Sequence, residues 1–193
     1  NEISEIPDQS VVIFSAHGVS ESVENEARSR NLPIIDATCP LVTKVHHEGR
    51  RHAKNGRQVI LIGHEEHPEV KGTQGRVPGG VLLVTNLEDV TKIQPLDPSK
   101  LAYVTQTTLS VDETRDIIAA LRKRFPCIKG PEVKNICYAT QNRQAATRDL
   151  ASRVDILFIL GAKNSSNSNR LREIGKEMSI PSYLIDDASM VDP

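Results

Sequence analysis

The chain alternates short runs rich in valine and isoleucine with longer segments whose apolar residues recur at helical spacing. That alternation reads as repeated β-α units, because parallel strands need a crossover and an amphipathic helix supplies one. The expected strands are 11–15, 33–36, 59–62, 81–84, 101–105, 155–160 and 183–185. The expected helices are 20–30, 40–55, 86–93, 110–125, 138–152 and 167–178. The fold class that follows is α/β, as αβα sandwich domains with mostly parallel sheets. The stretch "FPCIKGPEVKN" (125–135) holds two prolines and a glycine and marks the clearest internal boundary, with a softer one near Cys39.

Bulk properties remove several function classes. A net charge of -1 and a pI near 6.7 give no electrostatic case for nucleic acid or for a membrane surface. Aromatics are only 3% of the 193 residues and tryptophan is absent, so stacking on single-stranded nucleic acid is also disfavoured. No apolar run approaches the roughly 20 residues of a membrane span. The three cysteines, Cys39, Cys127 and Cys137, do not form a disulfide framework, which fits a reducing cytoplasm. The chain starts at Asn1 and stops at Pro193 without a charged or flexible tail, and is expected to be a fragment.

In parallel sheets, ligands collect beyond the carboxyl ends of the strands, where loops meet helix N-termini. The chemistry-bearing residues fall at those junctions. "AHGVS" places His17 after the first strand, either capping the turn or facing a ligand. Cys39 precedes Pro40, a favoured first helical residue, and Cys137 stands likewise just ahead of a helix. A thiolate there is stabilised by the helix dipole and serves as a metal ligand or nucleophile, or else the cysteine is a small buried cap residue. "LIGHEEHPEVKG" (61–72) resembles a zinc helix, but His64 and His67 stand one residue short of H-E-x-x-H and Pro68 follows directly. It is expected to be a strand-end loop. Thr107 and Thr108 precede Ser110 and Glu113, which have capping-box spacing. "GAKNSSNSNRL" carries more hydroxyls and amides than one cap requires, which suggests an anion site, with phosphate as the expected ligand. Two thiolates beside such a site argue for soft-metal ligation next to oxyanion binding. Cys127 follows the end of a helix and is read as incidental.

Taken together, "FSAHGVS", "DATCPLVTKVH", "GHEEHPEVKGT", "TQTTLSVDET", "ICYATQNRQ" and "GAKNSSNSNRL" resemble successive signatures of the 4-hydroxy-3-methylbut-2-enyl diphosphate reductases, the LytB family. The six blocks stand in the family's order from Phe14 to Leu171. The resemblance implies three αβα domains with pseudo-threefold symmetry around a [4Fe-4S] cluster. Residues 1–39 would end the first domain, 40–136 form the second and 137–193 start the third. It further implies Cys39 and Cys137 as two of three cluster ligands, the third cysteine being absent from this chain. His17, His67, Ser165, Ser166 and Asn167 would contact the substrate diphosphate. Glu69 would be the proton source, and Thr107 would orient the hydroxymethyl group. His64 would be structural. The implied partners are the diphosphate substrate and an electron donor of the ferredoxin or flavodoxin type. The implied reaction is reductive loss of the hydroxyl to give isopentenyl and dimethylallyl diphosphates, in a complete protein rather than in this chain. Two alternatives remain: a non-catalytic αβα module that binds small phosphates, and a thiol enzyme using Cys39, for which no Cys–His partner motif is visible.

Overall fold

The computed structural model describes residues 3–131 and 136–191, so the last four residues of the expected boundary at 125–135 lie outside the described residues. The strands are β1 (Val12–Phe14), β2 (Ile34–Asp36), β3 (Gln58–Ile62), β4 (Val81–Val84), β5 (Leu101–Thr105), β6 (Leu157–Leu160) and β7 (Ser182–Ile185). The helices are α1 (Glu21–Ser29), α2 (Pro40–Lys54), α3 (Pro68–Gln74), α4 (Leu87–Lys92), α5 (Val111–Arg124), α6 (Tyr138–Ala151) and α7 (Ser166–Glu177). All pairings are parallel: β1 with β2, β3 between β4 and β5, and β6 with β7. Each expected strand is present, although β6 starts at Leu157 rather than 155.

The chain divides into two compact units, Asn1–Gln106 with Glu113–Asn135, and Thr107–Asp112 with Ile136–Pro193. In the first unit the central strand β3 aligns Ile60 with Leu82 of β4 and Tyr103 of β5. Val59, Leu61 and Val104 pack with Val45 of α2, Val70 of α3 and Val77. Helix α2 buries Val42, Val45, His46 and Gly49, the i, i+3, i+4, i+7 face of an amphipathic helix. A smaller cluster of Val12, Phe14, Ala27 and Leu32 holds α1 on β1. Burying one such valine or leucine contributes about 1.5–3 kcal/mol.

The second unit packs α7 on β6 and β7 through Leu157, Ile159 and the fully buried Ile174. Gly175 allows that contact, since a Cβ there would lie 2.1 Å from Ser182 Oγ and 2.9 Å from Leu157 Cδ2. Strand β6 alternates buried and exposed residues, whereas β5 is buried throughout.

Helix α3 corrects one sequence expectation. The stretch 61–72 is not a loop throughout, because Pro68 opens a helix with His67 as its N-cap. Proline lacks only an amide that has no intrahelical partner at that position, so it starts a helix as readily as it breaks one.

Candidate functional site

In the first unit the turn after β1 carries His17, and α3 packs directly against that turn. A Cβ on Gly72 would lie 3.1 Å from Gly18 O, and one on Gly75 would lie 2.3 Å from Ser20 Cβ. Arg76 reinforces the contact, donating from Nε to Val19 O at 2.7 Å and pairing with Glu24 at 2.6 Å. Gly18 itself has φ +74°, and a Cβ there would meet His46 Cε1 at 2.7 Å. A side chain at that position would be strained twice.

This packing brings His17 and His67 together, with ring centroids 5.4 Å apart and edges crossing at 83°. His67 Nδ1 accepts from the Glu69 backbone N–H at 3.2 Å, capping α3. A neutral imidazole that accepts at Nδ1 carries its proton on Nε2, so His67 presents a donor there. Burial first, then the neighbouring His17 and His64, push its pKa down to about 4. Glu69 stands two residues on, only 1% exposed.

Cys39 is fixed to the same turn. Its N–H donates to Ala16 O at 3.0 Å. Just ahead, Asp36 accepts from the Thr38 amide at 2.9 Å and hydroxyl at 2.5 Å, and these two bonds hold its carboxyl below the usual range. Cys39 is the N-cap of α2, half-buried and unbridged, and its sulfur makes no capping hydrogen bond.

The second unit gathers Thr107, Cys137 and the α7 entrance. Cys137 caps α6 with φ -53° and ψ 131°, against -55° and 132° at Cys39, and again without a side-chain capping bond. Its N–H donates to Thr107 O at 2.9 Å. Thr107 is buried. At the start of α7, Ser165 accepts from Ser168 N at 3.3 Å and is the helix cap. Ser166 Oγ donates to Thr108 O at 3.5 Å, while Asn169 Nδ2 donates to Lys163 O and Ser165 O. The polar surplus of this segment is therefore partly spent on its own turn. Asn167 differs, because its Oδ1 is buried with no hydrogen-bond partner among the described residues. Leaving such an atom unpaired costs about 1–3 kcal/mol, so an incoming ligand gains by bonding the amide, whose 180° flip offers a donor instead.

Sequence reasoning missed three groups here. Gln106, 1% exposed, accepts from the His64 N–H at 3.0 Å and anchors the segment leading to His67. Gln144 lies buried under the 107–111 loop. His46 lies beneath Gly18. Among the described residues no group of three or more His, Cys, Asp or Glu side chains is arranged to hold a metal ion. No helix is long and apolar enough to cross a membrane among the described residues.

The family profile described as LytB protein matches residues 1–193. The 4-hydroxy-3-methylbut-2-enyl diphosphate reductase 1 of Rhodopseudomonas palustris is 59% identical over 192 residues, covering 100% of this chain and 63% of that protein. The reductase of Idiomarina loihiensis is 57% identical and covers 99% of this chain and 62% of its own length. Among solved structures, the E-1-hydroxy-2-methyl-but-2-enyl-4-diphosphate reductase of Plasmodium falciparum aligns with a TM-score of 0.93 at 38% identity, covering 98% of this chain and 60% of that chain. A second, titled (E)-4-hydroxy-3-methyl-but-2-enyl diphosphate reductase, aligns with a TM-score of 0.67 at 32% identity, covering 100% of this chain and 68% of that one. The chain thus spans about three-fifths of the length of the curated relatives it matches.

Proposed function

Because the chain belongs to the LytB family along its whole length, we propose that it is part of an iron–sulfur reductase acting on 4-hydroxy-3-methylbut-2-enyl diphosphate. The products would be isopentenyl and dimethylallyl diphosphates, at the last step of the methylerythritol phosphate route to isoprenoids. The observation that carries this reading is the packing of His17 against His67 beside the buried Glu69. Anion-binding imidazoles and a shielded carboxyl, two residues apart, suit a substrate with a charged end and a polar bond to be broken.

Cys39 and Cys137 would hold two irons of a [4Fe-4S] cluster. Their matching N-cap geometry, with sulfurs uncommitted to capping, fits thiolate ligation. When bound, such a cluster supplies electron transfer and Lewis-acidic iron. His67, donating through Nε2, and His17 would bind the diphosphate, with Ser165, Ser166 and Asn167 at the α7 N-terminus, where the dipole favours an anion. The diphosphate supplies binding energy remote from the reacting carbon. Thr107 would orient the hydroxymethyl group.

Glu69 would deliver the proton with which the hydroxyl leaves as water. The balance is two electrons and two protons per substrate: the C–O bond breaks, a C–H bond forms, and one water is released. The electrons would come from a ferredoxin or flavodoxin type donor. In the same reading 1–39, 40–136 and 137–193 belong to three αβα domains, which the separate sheets β1-β2, β4-β3-β5 and β6-β7 support.

The test is anaerobic reconstitution of the full-length protein. It should yield a broad brown absorbance, about four irons per chain and reductase activity. A full-length protein that takes up no iron sinks the reading. Diphosphate binding by this chain, lost in Ser165→Ala and unaccompanied by iron uptake or turnover in the full-length protein, would favour a phosphate-binding module.

A further inference from the structure

Gln144 stands on the second turn of α6, 1% exposed, and the reading above gives it no task. Both ends of its amide are committed to one loop. Nε2 donates to Leu109 O at 2.9 Å, and Oε1 accepts from the Val111 N–H at 3.3 Å, the first amide of α5. The same loop is held at two further points. Cys137 N–H donates to Thr107 O, and Ser166 Oγ donates to Thr108 O. Three successive carbonyls, of residues 107, 108 and 109, therefore accept from α6, from α7 and from the helix cap that is also a proposed cluster ligand. The loop has no regular ladder of its own, so these bonds fix its conformation.

We propose that Gln144 is a positioning residue, clamping the 107–111 loop onto the helix that starts at Cys137 and so setting the Thr107 hydroxyl toward the substrate. This rests on the reductase reading. A buried amide suits the task, because it meets an acceptor and a donor on a single stretch of backbone and cannot turn to solvent. A leucine fills similar volume and does neither. Small displacements of an orienting group lower the chemical step more than they weaken binding.

The experiment uses the reconstituted full-length protein, wild type and Gln144→Leu, each also in a Thr107→Ala background. Gln144→Leu is expected to lower kcat about 10- to 100-fold, the usual cost of losing an outer-shell partner, with KM changed by less than about twofold. In the Thr107→Ala background the same substitution should lower kcat by less than about twofold further. Gln144→Met keeps the length and volume of the side chain and loses both bonds, so its kcat should fall as in the leucine variant. It also keeps the test available if the leucine variant fails to fold.

Losses that multiply in the double variant would overturn the inference, since a substitution that merely loosens the fold lowers activity equally in both backgrounds. An unchanged kcat in both Gln144 variants would overturn it as well. A wild-type full-length protein that binds the cluster but turns over no substrate would instead refute the reductase reading, and the positioning role with it. In this chain, faster amide exchange at Val111 in Gln144→Leu is expected without any activity assay. Unchanged exchange there would overturn the clamp itself.

Discussion

Acid should destabilise the first unit through His46, by an amount that its surroundings set. His46 lies on the buried face of α2, 6% exposed, with Nε2 lacking any hydrogen-bond partner among the described residues. Burial first, then Arg76, Arg50 and His47, push its pKa down to about 4, with Asp36 opposing them. The unfolded chain takes the proton near the ordinary value of 6.5, before the folded state does. Above that value neither state is protonated and His46 contributes no pH dependence. As pH falls from 6.5 to 4 stability falls, and below 4 the loss is complete. At 1.36 kcal/mol per pKa unit the full loss is about 3 kcal/mol, of which about 2 kcal/mol is already present at pH 5. Urea unfolding of the chain and of His46→Leu, at pH 7 and pH 5, measures this directly. Leucine removes both the titration and an unpaired buried nitrogen, so the variant should match or exceed wild type at pH 7. Its loss between the two pH values should be smaller by about 2 kcal/mol. His67 is depressed to a similar value but is present in both proteins, so it cancels from the difference. Equal pH dependence in the two proteins would refute the reasoning.

Three further outcomes are expected. On the reductase reading, Glu69→Gln in the full-length protein should retain substrate binding while kcat falls about 10²–10⁴-fold, the usual range for loss of a general acid; undiminished turnover removes Glu69 as proton source. Gly18→Ala should destabilise the chain by at least about 1–2 kcal/mol through its left-handed backbone alone, with the approach to His46 adding to that, and thermal unfolding should show the loss. Ser165→Ala should cost about 1 kcal/mol as a lost N-cap and weaken diphosphate binding by the chain in calorimetric titration; a variant that unfolds like wild type would show that the cap contributes little.

The strands were legible because their signal is local. The run Val59–Ile62 is apolar for its full length, and β3 is buried between two parallel neighbours, where no alternation is required. Cys39 and Cys137 were legible for the same reason, since a residue before a helix start shows in the adjacent sequence. Helix α3 is not legible in the sequence, because a proline after His67 is equally the mark of a broken turn and of a first helical residue. His67 is the reason the helix starts there, because its ring supplies the cap that serine or asparagine supplies elsewhere. The glutamines were invisible for a different reason. Gln144 meets the Leu109 carbonyl 35 residues away and Gln106 meets the His64 amide 42 residues away, and no local pattern carries such a partnership. The tight contacts at Gly72 and Gly75 were equally hidden, since a glycine in "VKGTQG" gives no hint of the turn it will meet.

The 42 residues between His64 and Gln106 also measure time. A ribosome adding about 5–20 residues per second needs roughly 2–8 seconds to travel between them. Until it has passed them, β5 and the glutamine beyond it do not yet exist. The segment bearing His67 and Glu69 must then wait without its anchor. That segment acquires its anchor only after β4, α4 and β5 have been made.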